Sequence, residues 1–189
     1  MKPLLLSKFP LRATLLATAS LLAGAGHAHV TLETPRATAG SAYKAVLRVG
    51  HACDGAQSTR ALWVRLPEGF RGAKPMPKPG WRITLTRTPL ATPYDNHGKP
   101  VAEEVTAIRW EVIDPAQALP GDFYDEFVLR GAAPATPGPA WFKVLQVCDK
   151  GEVDWAQVPA EGSSLKGLAA PAALLEVLPA GDPHADHQH

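Results

Sequence analysis

The sequence predicts an all-β fold: an immunoglobulin-like antiparallel β-sandwich of seven to eight strands with a flexible C-terminal tail. Three observations carry that expectation. From Val30 onward, apolar residues recur with period two in short runs; clusters of Gly, Pro and Asp interrupt the runs; and no long stretch has helical period. Side chains alternate across a strand, so a strand with one buried face alternates apolar and polar residues.

The first segment is not part of that body. MKPLLLSKFPLRATLLATASLLAGAGHA, residues 1–28, joins Lys2, Lys8 and Arg12 to an apolar stretch ending in small residues, the build of a secretory signal peptide. Signal peptidase requires small side chains three and one positions before the cut. Gly26 and Ala28 meet that requirement and leave His29 first, whereas Ala23 and Ala25 leave Gly26 first. The remainder is long enough for one domain and short for two.

Within the body, SAYKAVLRV sets Tyr43, Ala45, Leu47 and Val49 on one face and Lys44 and Arg48 on the other. RALWVRLPEGF does the same with Leu62, Val64 and Leu66 against Trp63 and Arg65. KPMPKPG, with its prolines around Met76, reads as an exposed connection. WRITLTRTPL resumes alternation, and PYDNHGKP is a turn cluster suited to positive backbone angles. Strands follow at VTAIRWEV, DFYDEFVLR, AWFKVLQVC and VDWAQV, a spacing that suits two packed antiparallel sheets. The expected domain therefore spans residues 29–160. Residues 161–189, rich in Ala, Pro and Gly, read as a tail or linker with at most a short helical turn at Ala172 to Val177, and no transmembrane anchor is expected.

Bulk composition narrows the function. Lys and Arg number 19 against 18 Asp and Glu, and no basic run points to nucleic acid or an anionic membrane. Of the two cysteines, Cys53 and Cys148, the simplest reading in an exported chain is one disulfide. Closing so long a loop would stabilise the fold by on the order of 4 kcal/mol in the chain-entropy model. Two thiolates serving as soft Cu(I) ligands is the competing reading.

The residues that carry chemistry are mostly histidines. A histidine at a free N-terminus offers its α-amino nitrogen and its imidazole Nδ1 to one ion, and Cu(II) is the divalent ion that nitrogen ligands favour most. The amine carries one weakly held proton near neutral pH, so the metal displaces it readily. His29 provides this chelate if the chain begins there; starting at Gly26 or His27 writes other ligand sets that still favour Cu(II). GHACDG brings His51, Cys53 and Asp54 together at the end of the second strand, which antiparallel pairing returns to the start of the first. His51 or Asp54 is therefore a candidate to complete the site. Alternatively both decorate a turn pinned by the disulfide.

In DFYDEFVLR, Asp125 and Glu126 point to opposite faces and cannot flank one substrate bond, although Glu126 alone is a candidate metal ligand. DPHADHQH holds His184, His187 and His189, a secondary metal-gathering tail. Core packing is the first expectation for the five tryptophans, with one lining the metal site. No phosphate-binding glycine loop, zinc-ligand spacing or nucleophile motif is present in the sequence.

The ordered set HVTLETPRATAGSAYKAVLRVGHACDG, LWVRLPEGF, KPMPKPGW, a tryptophan-bearing strand, GDFYDEFVL and QVCDKGEVDWAQVP resembles the YcnI-like copper-binding domain of bacterial exported proteins, from about His29 to Pro159. The resemblance implies a β-sandwich that binds Cu(II) through an N-terminal histidine brace, completed by a carboxylate and a tryptophan. His29 matches the brace. His51 or Asp54 stands where some relatives place the carboxylate, and the tryptophan is Trp155 or Trp141, with GEVDW the closer match. The implied protein is a monomeric, non-catalytic periplasmic copper chaperone or homeostasis factor that exchanges copper with a membrane transporter or another periplasmic copper protein. The alternatives are a histidine-brace copper oxidase or oxygenase and a metal-free adhesion or assembly module.

Overall fold

Period-two patterning forms a sheet only where each strand finds neighbours for its backbone groups and cover for its apolar face. In the computed structural model, which describes residues 29–181, such strands run the length of the domain. They are β1 (Thr31–Leu32), β2 (Arg36–Thr38), β3 (Ala42–Val49), β4 (Ser58–Arg65), β5 (Arg71–Pro75) and β6 (Trp81–Asn96). The second half adds β7 (Lys99–Val112), β8 (Leu119–Pro120), β9 (Asp125–Ala132), β10 (Gly138–Cys148), β11 (Glu152–Trp155) and β12 (Ala173–Leu178). A single 3₁₀ turn, Pro115–Gln117, is the helical structure among the described residues.

The strands form two sheets. The smaller has the order β1-β3-β9-β5; the larger has β2-β12-β10-β4-β7-β6, with β11 beside β10 and β8 beside β4. All pairings are antiparallel except β2 with β12. The predicted sandwich is the one observed, with more elements than the sequence suggested, some of only two or three residues and two, β6 and β7, longer than expected.

Between the sheets lie Leu47, Leu62, Val64, Ile108, Trp110, Phe127, Leu129, Phe142 and Leu175, all fully buried. Phe127 takes the edges of Trp81 and Trp110 at centroid distances of 5.0 and 5.9 Å, the tilted geometry that aromatic pairs prefer. β10 shows the alternation most clearly. Ala140, Phe142, Val144, Gln146 and Cys148 are buried, while Trp141, Lys143, Leu145 and Val147 lie on the opposite, partly exposed face.

Two segments depart from the expectation. The domain does not end at residue 160: β12 lies between β10 and β2, pairing Phe142 with Ala173 and Leu178 with Thr38, and it buries Ala173, Leu175 and Val177. Its sequence, ALLEVL, alternates like any other strand. The helical turn expected over Ala172 to Val177 weighed local preference alone, and the two open strand edges on either side override it. Residues 161–169 are mostly exposed, and the chain re-enters the fold where Ala172 donates to the carbonyl of Gln157 at 2.8 Å. Residues 182–189, with the expected histidine tail, lie outside the described residues, as does the expected signal peptide.

KPMPKPG is not wholly a connection. Lys74 and Pro75 pair with Arg130 and Leu129 as the end of β5, an edge strand, where a proline costs no ladder bond on its open side. The turn cluster PYDNHGKP is the tip of the long β6–β7 hairpin, with His97 and Gly98 at φ 55 and 78°, the pair of positive angles that a two-residue turn of matching twist requires.

Replacing Leu175 by Ala should lower unfolding free energy by about 2–5 kcal/mol in urea denaturation, as for a fully buried leucine. A residue in a flexible tail would change it by less than about 0.5 kcal/mol.

Candidate metal centre

β1 and β3 run antiparallel with Thr31 opposite Arg48, so the residues before β1 and after β3 meet at one end of the sandwich. His29 precedes β1 and His51 follows β3. Both imidazoles pack edge-on against the ring of Trp155, the last residue of β11, at centroid distances of 5.5 and 6.2 Å and interplanar angles of 71 and 88°. Trp155 itself is buried. His29 and His51, expected to converge from strand pairing, are brought together, and Trp155 rather than Trp141 is the tryptophan between them. Trp141 lies on the opposite face of β10.

What orients this group is a residue the sequence reading missed. Gln146 is fully buried on β10, and its side-chain amide makes three hydrogen bonds. Nε2 donates to the carbonyl of His51 and to Oγ1 of Thr59, both at 2.8 Å. Oε1 accepts the indole N–H of Trp155 at 3.0 Å. An indole nitrogen only donates and a backbone carbonyl only accepts, so the amide has one allowed orientation. The available signal was a glutamine on a buried position of AWFKVLQVC, where the alternation called for an apolar residue.

The imidazole nitrogens are also distinguishable. Nδ1 of His51 lies 2.5 Å from the carbonyl of Ala52, which can only accept, so it is the Nδ1–H tautomer that makes this contact a hydrogen bond. In His29, Nε2 is buried, and Nδ1 is the ring nitrogen nearer the residue's own backbone nitrogen.

Cys53 and Cys148 form the expected disulfide, with an S–S length of 2.04 Å and 6.0 Å between Cα atoms. Together with Ala52 they make a small apolar cluster apart from the main core, which ties the loop carrying His51 to the end of β10. The loop turns over residues 53–56, closed by Ala56 N–H to the Cys53 carbonyl at 2.9 Å. Asp149 secures its far side by accepting the N–H groups of Gln57 at 2.9 Å and Ser58 at 3.1 Å, and the Ser58 bond foremost holds its carboxyl below the usual range.

The carboxylate candidates sit differently. Asp54 is exposed on the turn past the disulfide. Glu126 lies on β9 in register with Arg48, in a polar strip on the outer face of the smaller sheet. One of its oxygens accepts the hydroxyl of Tyr124, whose pKa that bond pushes up to about 12. Arg48 in turn bonds Oγ1 of Thr31 and pairs with Glu33. Among the described residues no group of three or more His, Cys, Asp or Glu side chains is arranged around one point. Side chains thus contribute two imidazoles and an aromatic wall.

The family model described as domain of unknown function DUF1775 matches residues 29–177. The chain belongs to this family. The DUF1775 match begins at His29 and runs through most of β12, in line with the longer domain found here, and it is consistent with the YcnI-like resemblance. No curated protein matches the chain. Among solved structures, an uncharacterized protein from Nocardia farcinica, described as having an immunoglobulin-like fold, shares 23% identity at a TM-score of 0.60 over 79% of this chain and 97% of its own. That likeness supports the fold of this DUF1775 domain. The seventh ScaB type I cohesin from Pseudobacteroides cellulosolvens is more distant, at 12% identity and a TM-score of 0.40 over 85% of this chain and 97% of its own.

Two outcomes follow for stability. Gln146→Leu strands the buried indole N–H of Trp155, at about 1–3 kcal/mol, and removes the partner of the part-buried His51 carbonyl, and should shift the tryptophan emission as that N–H loses its acceptor. Asp149 has a depressed carboxyl pKa, so its contribution is present above the unfolded value and lost as pH falls below about 4. Urea midpoints of Asp149→Asn should therefore decline less than those of the native chain between pH 5 and pH 3.

Proposed function

We propose that the chain is an exported Cu(II)-binding protein of the DUF1775 family, which captures the ion at the His29 end of the sandwich and hands it to a membrane or periplasmic copper partner. One observation carries this reading: two imidazoles from separate strand ends edge the same buried tryptophan, and a buried amide anchors both the tryptophan and the His51 loop. Neutral imidazole nitrogens suit Cu(II), and a backbone-bonded Nδ1 of the kind seen in His51 is the usual outer support of a metal-bound histidine.

Copper is cargo in this reading, so no step of bond making is asked of the site. With the signal peptide removed after Ala28, the α-amino group of His29 joins its Nδ1, and His51 Nε2 supplies a third nitrogen. The wall formed by Trp155 limits the approach of water from one side. Asp54 and Glu126 are left as outer groups, one exposed and one engaged by Tyr124.

The test uses protein from His29 to Gly181, which retains β12 and omits the tail histidines, beside the same protein with one residue added before His29. Titration with Cu(II) followed by electron paramagnetic resonance should show a tight one-to-one nitrogen-rich site in the first and a weakened, altered site in the second. Equal binding by both would remove the α-amino group from the ligand set, and no binding by either would overturn the copper reading. Copper held only by the folded chain must also raise the melting temperature.

A further inference from the structure

The outer face of the larger sheet carries a second surface, separate from the copper end. Arg65 of β4 and Lys143 of β10 are register partners and so stand side by side on that face. Trp141 lies two residues before Lys143 on the same face of β10, and Trp63, 38% exposed, lies two residues before Arg65 on the same face of β4. By strand geometry the two indoles are separated by roughly 14 Å, four residues along β10 and one strand across, with the two cations between them.

Next to this strip an open cleft of about 870 Å³ is bounded by Trp141, Lys143, Arg65 and Arg71 and by the loops at residues 66–69 and 134–139. Its cations outnumber its one carboxylate, Glu68. Two of them are held in place. Arg65 pairs with Asp154 at 2.6 Å, and the Arg71 guanidinium stacks over Tyr94 at 4.4 Å from the ring centroid. Lys143 has no ion-pair partner among the described residues.

An exposed and a half-buried indole with two cations between them, one of them held by an ion pair, match one class of ligand. Apolar ring faces of sugars stack on aromatic planes, and carboxylates borne by the same sugars meet guanidinium and ammonium groups. A single sugar cannot bridge the two indoles, whereas an oligosaccharide can. We propose that this face and cleft bind an anionic polysaccharide of the uronate type, with Trp141 and Trp63 as stacking platforms and Lys143, Arg65 and Arg71 as the carboxylate contacts. The surface lies on the opposite face of β10 from Gln146 and does not use His29 or His51. Binding there would tether the copper site to a glycan matrix without presenting the glycan to the metal.

Oligogalacturonate, a neutral cello-oligosaccharide of equal length and poly-glutamate are each titrated against the protein of residues 29–181, read by calorimetry and tryptophan emission. The expected result is binding of oligogalacturonate that weakens as salt is added and exceeds that of the other two by about tenfold or more. Trp141→Ala and Lys143→Glu, each checked for unchanged melting temperature, should each lower that affinity by about tenfold, and His51→Ala should leave it unchanged. Absence of binding, equal binding of poly-glutamate or of the neutral glycan, or indifference to both surface variants would overturn the proposal. Loss of binding in His51→Ala would instead place the glycan at the copper end and contradict the separation of the two surfaces.

Discussion

A primary amide buried without water must find partners for two donors and an acceptor, and the cost of failing falls on the folded state. Gln146 meets that demand with the carbonyl of His51, the hydroxyl of Thr59 and the indole of Trp155, groups contributed by three separate stretches of chain. The disulfide acts beside it, fixing the same loop to the same strand end. Remove the amide and the His51 loop is still held by the disulfide and by Asp149, but the hydrogen-bonded link between that loop and the Trp155 ring is lost. The candidate metal site is therefore a property of β10 as much as of the histidines.

The division of β10 into two faces organises the rest. Its buried face contributes Phe142 and Val144 to the core and Gln146 to the site, while its outer face contributes Trp141 and Lys143 to the second surface. Period two lets one strand serve both without either set of side chains meeting the other. The same rule places Trp63 and Arg65 opposite Leu62 and Val64 on β4.

Much of this was legible in the sequence. Alternation in SAYKAVLRV and RALWVRLPEGF identified buried faces correctly, and the even pair of cysteines, in a chain whose leader reads as a signal peptide, pointed to the disulfide that is present. Antiparallel pairing predicted that His29 and His51 converge. What escaped was non-local. β12 reads as a tail because Pro171 and Pro179 bracket a short alanine-rich segment, and only the open edges of β2 and β10 make it a strand. Gln146 looks like a flaw in an apolar alternation until its three partners are placed around it. Glu126 is a plausible ligand in isolation, and its engagement by Tyr124 depends on a neighbour whose orientation the sequence does not encode.

The most direct measurement is X-ray absorption at the copper edge on the one-to-one Cu(II) complex of the protein beginning at His29, beside its His51→Ala and Gln146→Leu variants. Two imidazoles should be counted at the metal in the native chain and one in His51→Ala, with Gln146→Leu retaining less than the full second imidazole because the His51 carbonyl has lost its tie to β10. A single imidazole in the native chain, unchanged by either substitution, would contradict a copper site shared between His29 and His51.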